Sequence, residues 1–312
     1  FLLSRKPTLM TSLPFPPVTP ATTSTSDTTV ATLVLKDGTS YQGFSFGAET
    51  HSVAGECVFQ TGMVGYPESL TDPSYHGQIL VLTFPLIGNY GVPSRDDMDP
   101  ILKDIPRYFE SSNIHVAALV VGQYSSYYSH YLAHSSLGDW LKTNDIPAIY
   151  GVDTRALTKK IRINGVMLGK ILFPKESVTG SPSSSVNKVH VDGFMKLTSI
   201  SAESSLMDHI EDELVISSTW MDKYQDADWV DPNEKNLVAE VSIKTPKLYT
   251  PDPKKAIKGA NSKTLKILAL DVGMKYNQIR CFINRGVELK IVPWNYDFLN
   301  ETDYDGLFIR HL

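Results

Sequence analysis

The sequence predicts an α+β domain over residues 31–173, followed by the start of an α/β domain with a doubly wound sheet over residues 265–312. Three observations carry the prediction. Ala31-Thr-Leu-Val-Leu35 and Tyr41-Gln-Gly-Phe-Ser-Phe46 alternate in polarity about Asp37-Gly38, the pattern of a strand hairpin with a tight turn. Ile79-Leu-Val-Leu-Thr-Phe84 and the apolar run Val116 to Val121 are short and β-branched, as buried strands are. Leu265 to Leu270, Tyr276 to Asn284 and Val287 to Val292 read as strand, helix and strand, a βαβ unit.

Each element follows in chain order. Residues 1–30 are rich in Ser, Thr and Pro, and Arg5 and Lys6 precede the first acid, Asp27, a weak likeness to an organellar transit peptide. Pro14, Pro16 and Pro17 would break the amphipathic helix such a peptide uses, so a disordered leader is expected instead. The chain opens on Phe1 and its first plausible start is Met10, which suggests a gene fragment or an uncertain gene model. After the hairpin and the buried strands, Ser136 precedes Leu137-Gly-Asp-Trp-Leu-Lys142, and Asp153 precedes Thr154 to Arg162 with Gly165 behind it. Both are cap-to-stop patterns of short helices. Pro174 to Lys188 is Ser-rich and Thr245 to Lys263 is Pro- and Lys-rich, so residues 174–264 read as a linker and connecting segment. Gly286 stops the helix of the βαβ unit, and Gly306-Leu-Phe-Ile309 begins a third strand. A doubly wound sheet has about five strands, so the second domain is expected to be incomplete.

Composition narrows the function classes. A net charge of -5 and a pI near 5.9 give no basic footprint for nucleic acid. Cys57 and Cys281 are the only cysteines, too few for a disulfide framework or a zinc site, and a reducing cytoplasmic compartment is the expectation. The most apolar run, Val116 to Val121, is far short of the roughly 20 residues of a membrane-spanning helix. Gly62, Gly65, Gly88 and Gly91 form neither a dinucleotide fingerprint nor a Walker loop.

The informative segment runs from Gly55-Glu-Cys-Val-Phe-Gln-Thr-Gly-Met-Val-Gly-Tyr66 through Pro67-Glu-Ser-Leu-Thr-Asp-Pro-Ser-Tyr75. With Pro85-Leu-Ile-Gly-Asn-Tyr-Gly91 and Gly151-Val-Asp-Thr-Arg-Ala-Leu-Thr158, it resembles the carbamoyl-phosphate synthase small (glutamine amidotransferase) subunit family. The resemblance continues through Asn236 to Val241, Asp271 to Arg280 and Val292-Pro-Trp-Asn-Tyr296, where it is nearest the form fused into multifunctional pyrimidine-synthesis proteins.

What the resemblance implies is specific. The first domain would be the small-subunit N-terminal domain, of swivelling β/β/α type. The second would be a flavodoxin-like class I glutamine amidotransferase domain, whose Cys-His-Glu triad would lie beyond Arg310-His311-Leu312. The parent protein would be an enzyme releasing ammonia from L-glutamine for a synthetase large portion. That portion uses ATP and Mg to make carbamoyl phosphate for pyrimidine or arginine synthesis. The fragment itself would hold no cofactor and have no glutaminase activity. Ser74 would contact glutamine across the domain boundary, and Lys275 would sit near the ammonia tunnel or the synthetase interface. Read without the family, Asp72-Pro73-Ser74-Tyr75 is a turn and Lys275 a solvated loop lysine after a strand end, the edge where open α/β sheets take ligands. Asp72, Ser74 and His76 are too close in sequence for a hydrolase triad. Cys57 and Cys281 read as packing residues. A non-catalytic domain docking on a synthetase partner is the competing reading.

Overall fold

The computed structural model describes residues 28–174, 227–259 and 262–309. The leader, most of the Ser-rich stretch and Arg310 to Leu312 lie outside the described residues. Strand β1 (Val30–Leu35) and β2 (Ser40–Ser45) pair antiparallel as the hairpin, with Gly38 at φ 89° and Asp37 Oδ1 accepting from Thr39 N at 3.0 Å. The next elements are β3 (Val53–Gln60), helix α1 (Tyr66–Leu70) and β4 (Gln78–Ile87). A small ribbon of β5 (Val92–Pro93) with β7 (Ala133–Ser135) flanks β6 (Ala118–Tyr124). Helix α2 (Leu137–Thr143), β8 (Ala148–Tyr150), helix α3 (Thr154–Asn164) and β9 (Leu168–Leu172) complete the region.

The sheet closes into a barrel in the order β1-β2-β8-β6-β4-β3-β9. Strands β3, β4, β6 and β8 are mutually parallel, and β9 shuts the ring by antiparallel pairing with both β1 and β3. Closure depends on β9, which no local pattern announces. Both faces of β4 are buried, because alternate residues feed different cores. Ile79 and Val81 join Leu157 and Ile161 of α3, while Leu80 and Leu82 join Leu70 of α1 and Leu137 and Leu141 of α2. That arrangement explains the unbroken apolar run in the sequence. The two longer helices start where the sequence places them, on Ser136 and Asp153, whose side chains accept from Asp139 N and Ala156 N at 3.0 Å.

The second region is a mixed sheet ordered β10-β12-β11-β13. Strands β11 (Lys266–Asp271), β12 (Glu288–Pro293) and β13 (Gly306–Ile309) run parallel. Helix α4 (Leu237–Val241) precedes the sheet, and helix α5 (Tyr276–Asn284) covers one of its faces. The loop following α5 requires glycine: at Gly286 φ is 76°, and a Cβ would meet Lys255 O at 2.0 Å. One correction concerns Thr245 to Lys263, read from sequence as linker. It contains β10 (Lys247–Tyr249), which adds antiparallel to the edge of β12. Three residues bracketed by Pro246 and Pro251 are too few to show an alternation, and β12 recruits them. A second correction concerns Cys281, which lies on the exposed side of α5 and packs into no core.

Candidate functional site

The sequence-derived site residues come together at the seam between the barrel and the second sheet. Helix α1 returns the chain from the end of β3 to the start of β4. Its entry is fixed by Gly65 at φ 89° and by Tyr90 Oη, which accepts from Gly65 N at 2.7 Å and Tyr66 N at 3.0 Å. The Tyr66 and Tyr90 rings stack at 4.1 Å, and Tyr66 Oη donates to Gly91 O at 2.7 Å. Thus the quoted glycine and tyrosine motifs are one packed unit.

At the far end of α1, Asp72 caps a single 3-10 turn, Pro73–Tyr75. Its Oδ1 accepts from Ser74 N at 3.0 Å, while its Oδ2 is ion-paired with Lys275 Nζ from the loop between β11 and α5. The Asp72 side chain is 9% exposed and that of Lys275 31%, so the pair is largely withdrawn from water. Lys275 is therefore a half-buried, ion-paired residue of the seam and not the solvated lysine that its loop position alone suggests. Asp99 repeats the device: its Oδ1 accepts from Ile101 N and Leu102 N at 2.9 Å, and its Oδ2 from Arg280 Nε at 3.2 Å. In each case one carboxylate oxygen shapes a barrel turn and the other holds a cation of the second region.

Beside Ser74, His76 Nε2 lies 2.8 Å from Glu240 Oε2 on α4, and His76 Nδ1 lies 3.1 Å from His115 Nδ1. A carboxylate accepts only, so neutral His76 carries its proton on Nε2 and its Nδ1 accepts from His115. Burial, followed by the His76 charge, lowers the His115 pKa to about 4. Both ring nitrogens of His76 therefore have partners in this network. Burial also raises the carboxyls of Glu68 and Glu110 above the usual range.

Cys57 offers no thiolate. Cys57 Sγ sits 2.4 Å from where a Cβ on Gly169 would stand, and burial pushes its pKa up to about 12, with Glu56 adding to the shift. Among the described residues no group of three His, Cys, Asp or Glu side chains is gathered to hold a metal ion, and no helix is long and apolar enough to cross a membrane. Asp72 as the partner of Lys275, and Glu110, His115 and Glu240 as seam residues, were not foreseen. Their only sequence signal is a polar residue amid apolar neighbours.

These features define an α+β protein, a closed barrel beside a mixed sheet, whose candidate site lies on the seam between them. Residues 33–171 match the family described as "Carbamoyl-phosphate synthase small chain, CPSase domain". Those residues carry the carbamoyl-phosphate synthase small-chain domain. It is 55% identical over 296 residues to "Multifunctional protein pyr-3" of Neurospora crassa, covering 94% of this chain and 14% of that protein. It is 54% identical over 307 residues to "Multifunctional protein URA2" of Saccharomyces cerevisiae, covering 97% and 12%. To "Carbamoyl-phosphate synthase [ammonia], mitochondrial" of Mus musculus it is 42% identical over 279 residues, covering 89% and 14%. The chain thus spans about a seventh of the length of these relatives.

Proposed function

We propose that these residues are the small-chain portion of a glutamine-dependent carbamoyl-phosphate synthase, a ligase serving pyrimidine biosynthesis in the cytoplasm. The observation that carries the reading is the Asp72 carboxylate, which holds the Ser74 turn with one oxygen and Lys275 of the second region with the other. A substrate seated against the second region would meet the Ser74 hydroxyl across the seam. Ser74 is the glutamine-binding residue in this proposal, and Lys275 lines the path or the contact toward the synthetase. The barrel is of the swivelling β/β/α type, and β11 to β13 open a flavodoxin-like class I glutamine amidotransferase domain. Residues 31–173 and 265–312 are the two functional units, and the residues between them connect the two and lend β10 to the second.

The chemistry divides accordingly. Amide hydrolysis by a Cys-His-Glu triad uses a thiolate, and the two cysteines here are a buried thiol and a mid-helix residue, so this reading takes the nucleophile from outside these residues. The chain binds and orients, and ATP with Mg acts in the synthetase large portion. A cytoplasmic location rests on two free cysteines and no disulfide among the described residues.

The test is Ser74→Ala in a complete synthetase carrying these residues. A lost hydroxyl contact to a neutral group is worth about 0.5–1.5 kcal/mol, so the glutamine KM should rise several-fold while synthesis from free ammonia is spared. Equal loss with both nitrogen donors would make Ser74 a structural residue.

A further inference from the structure

Glu110 belongs to none of the motifs, yet it touches both sides of the seam. It lies in the barrel's long excursion between β5 and β6. Its main-chain N donates to Thr71 Oγ1 at 3.0 Å, and Thr71 directly precedes Asp72. Its main-chain O accepts from Tyr276 N at 2.9 Å, and its carboxylate Oε2 accepts from Asn277 N at 3.0 Å. The first amides of a helix have no partner within it, and a negative charge there is favoured by the helix dipole. The first turn of α5 contains no acid of its own. The acid comes from the other region.

A closed circuit results. Thr71 leads to Asp72, Asp72 to Lys275, Lys275 to the first turn of α5, that turn to Glu110, and Glu110 back to Thr71. The Lys275 main chain is further held by Gln278 Oε1, which accepts its N–H at 3.0 Å, so the loop has little freedom to swing. Burial opposes ionisation of Glu110, and the Asn277 N–H is the first of the contacts that offset it.

We propose that Glu110 is a positioning residue: by capping α5 across the seam it fixes Lys275 and the Asp72–Ser74 turn in the geometry that presents Ser74 to substrate. This rests on the glutamine reading above. Without the cap, the first turn of α5 would be held less closely beside the Asp72 and Lys275 pair, and the glutamine contact would loosen while the synthetase chemistry stayed intact.

The test uses Glu110→Ala and Glu110→Gln, since glutamine retains an oxygen that accepts from Asn277. In this chain, amide exchange at Asn277 should be about tenfold faster in Glu110→Ala and near the parent rate in Glu110→Gln. In a complete synthetase, Glu110→Ala should raise the glutamine KM several-fold with the ammonia-dependent rate unchanged, and Glu110→Gln should recover most of the loss. Unchanged Asn277 exchange in Glu110→Ala overturns the proposal, as does a glutamine KM within about twofold of the parent when Ser74→Ala raises it. So does an equal fall with both nitrogen donors that Glu110→Gln does not relieve. If Ser74→Ala itself is silent, the substrate reading fails separately, and the exchange pattern across the two Glu110 variants still decides whether the cap holds the loop.

Discussion

The barrel and the second sheet differ in where their cores come from. Both apolar clusters of the barrel are made wholly of residues between Ala31 and Phe173. The main cluster under the second sheet unites Ala269, Ile279, Ile283, Leu289 and Ile291 with Leu102 and Ile105, which the barrel extends toward it. Polar contacts run the same way. Asp72, Asp99, Asp104 and Glu110 of the barrel hold Lys275, Arg280, Tyr249 and the start of α5. The barrel is built to stand alone and the second region is built on it. The candidate site sits where that dependence is concentrated, so the geometry of Ser74 against Lys275 is a property of the docked pair and of neither part.

Separating the two is the most severe way to break this comparison. Residues 28–174 expressed alone should give a cooperative thermal transition and a protease-resistant core, because neither apolar cluster of the barrel draws on residues beyond Phe173. Residues 227–309 alone should give neither, since the face under α5 loses part of its cover. An equally resistant second fragment would refute the asymmetry.

A milder comparison uses paired truncations. Leu119→Ala, in a fully buried barrel position, should cost about 2–5 kcal/mol of barrel stability. Ile105→Ala removes a side chain that is 1% exposed but belongs to the second region's core. It should cost about 2–3 kcal/mol, read as early loss of amide protection in α5 and β12 while the barrel strands stay protected. Loss of protection in both regions together would show one cooperative unit.

How much of this was legible in sequence follows the same division. The hairpin, the buried strands β4 and β6, the helices at Ser136 and Asp153 and the βαβ unit each carry a local signal, either a period or a cap, and each is found. Strand β9 closes the barrel by pairing with residues more than a hundred positions away, and Leu168-Gly-Lys-Ile-Leu172 has no alternation that says so. Strand β10 depends on an available edge in the same way. At the candidate site, the glutamine role proposed for Ser74 comes only from its family motif, and what the structure shows of Asp-Pro-Ser-Tyr is the turn its residue types predict. Lys275 was legible as a loop residue but not as a partner of Asp72, because an ion pair spanning 203 positions leaves no mark on local pattern. Cys281 was misread because the helical pattern marks a face as apolar on average, and a cysteine on the opposite side looks like part of it.

The smallest effect tests whether the seam titrates. His115 is held near a pKa of about 4 against 6.5 when free, chiefly by burial and then by the neighbouring His76 charge, with Asp72 acting in the opposite sense. The unfolded chain therefore binds more protons than the folded one between those two values, and stability falls as pH drops through that window. Above pH 6.5 the contribution is fully present. With partial exposure of the ring discounted, the loss between pH 7 and pH 5 should be about 1–2 kcal/mol. Glu68 and Glu110 act oppositely: burial raises both, so each favours the folded state more as pH falls past its raised value. The net curve of the parent therefore mixes two signs, and the informative quantity is a difference. His115→Gln keeps a donor for His76 Nδ1 and cannot titrate. Measured by chemical denaturation at each pH, the parent should lose about 1–2 kcal/mol more than His115→Gln between pH 7 and pH 5, while the two carboxyls cancel between them. Parallel curves would show that His115 takes up its proton without cost, and that the His76, His115 and Glu240 network opens to water as the pH falls.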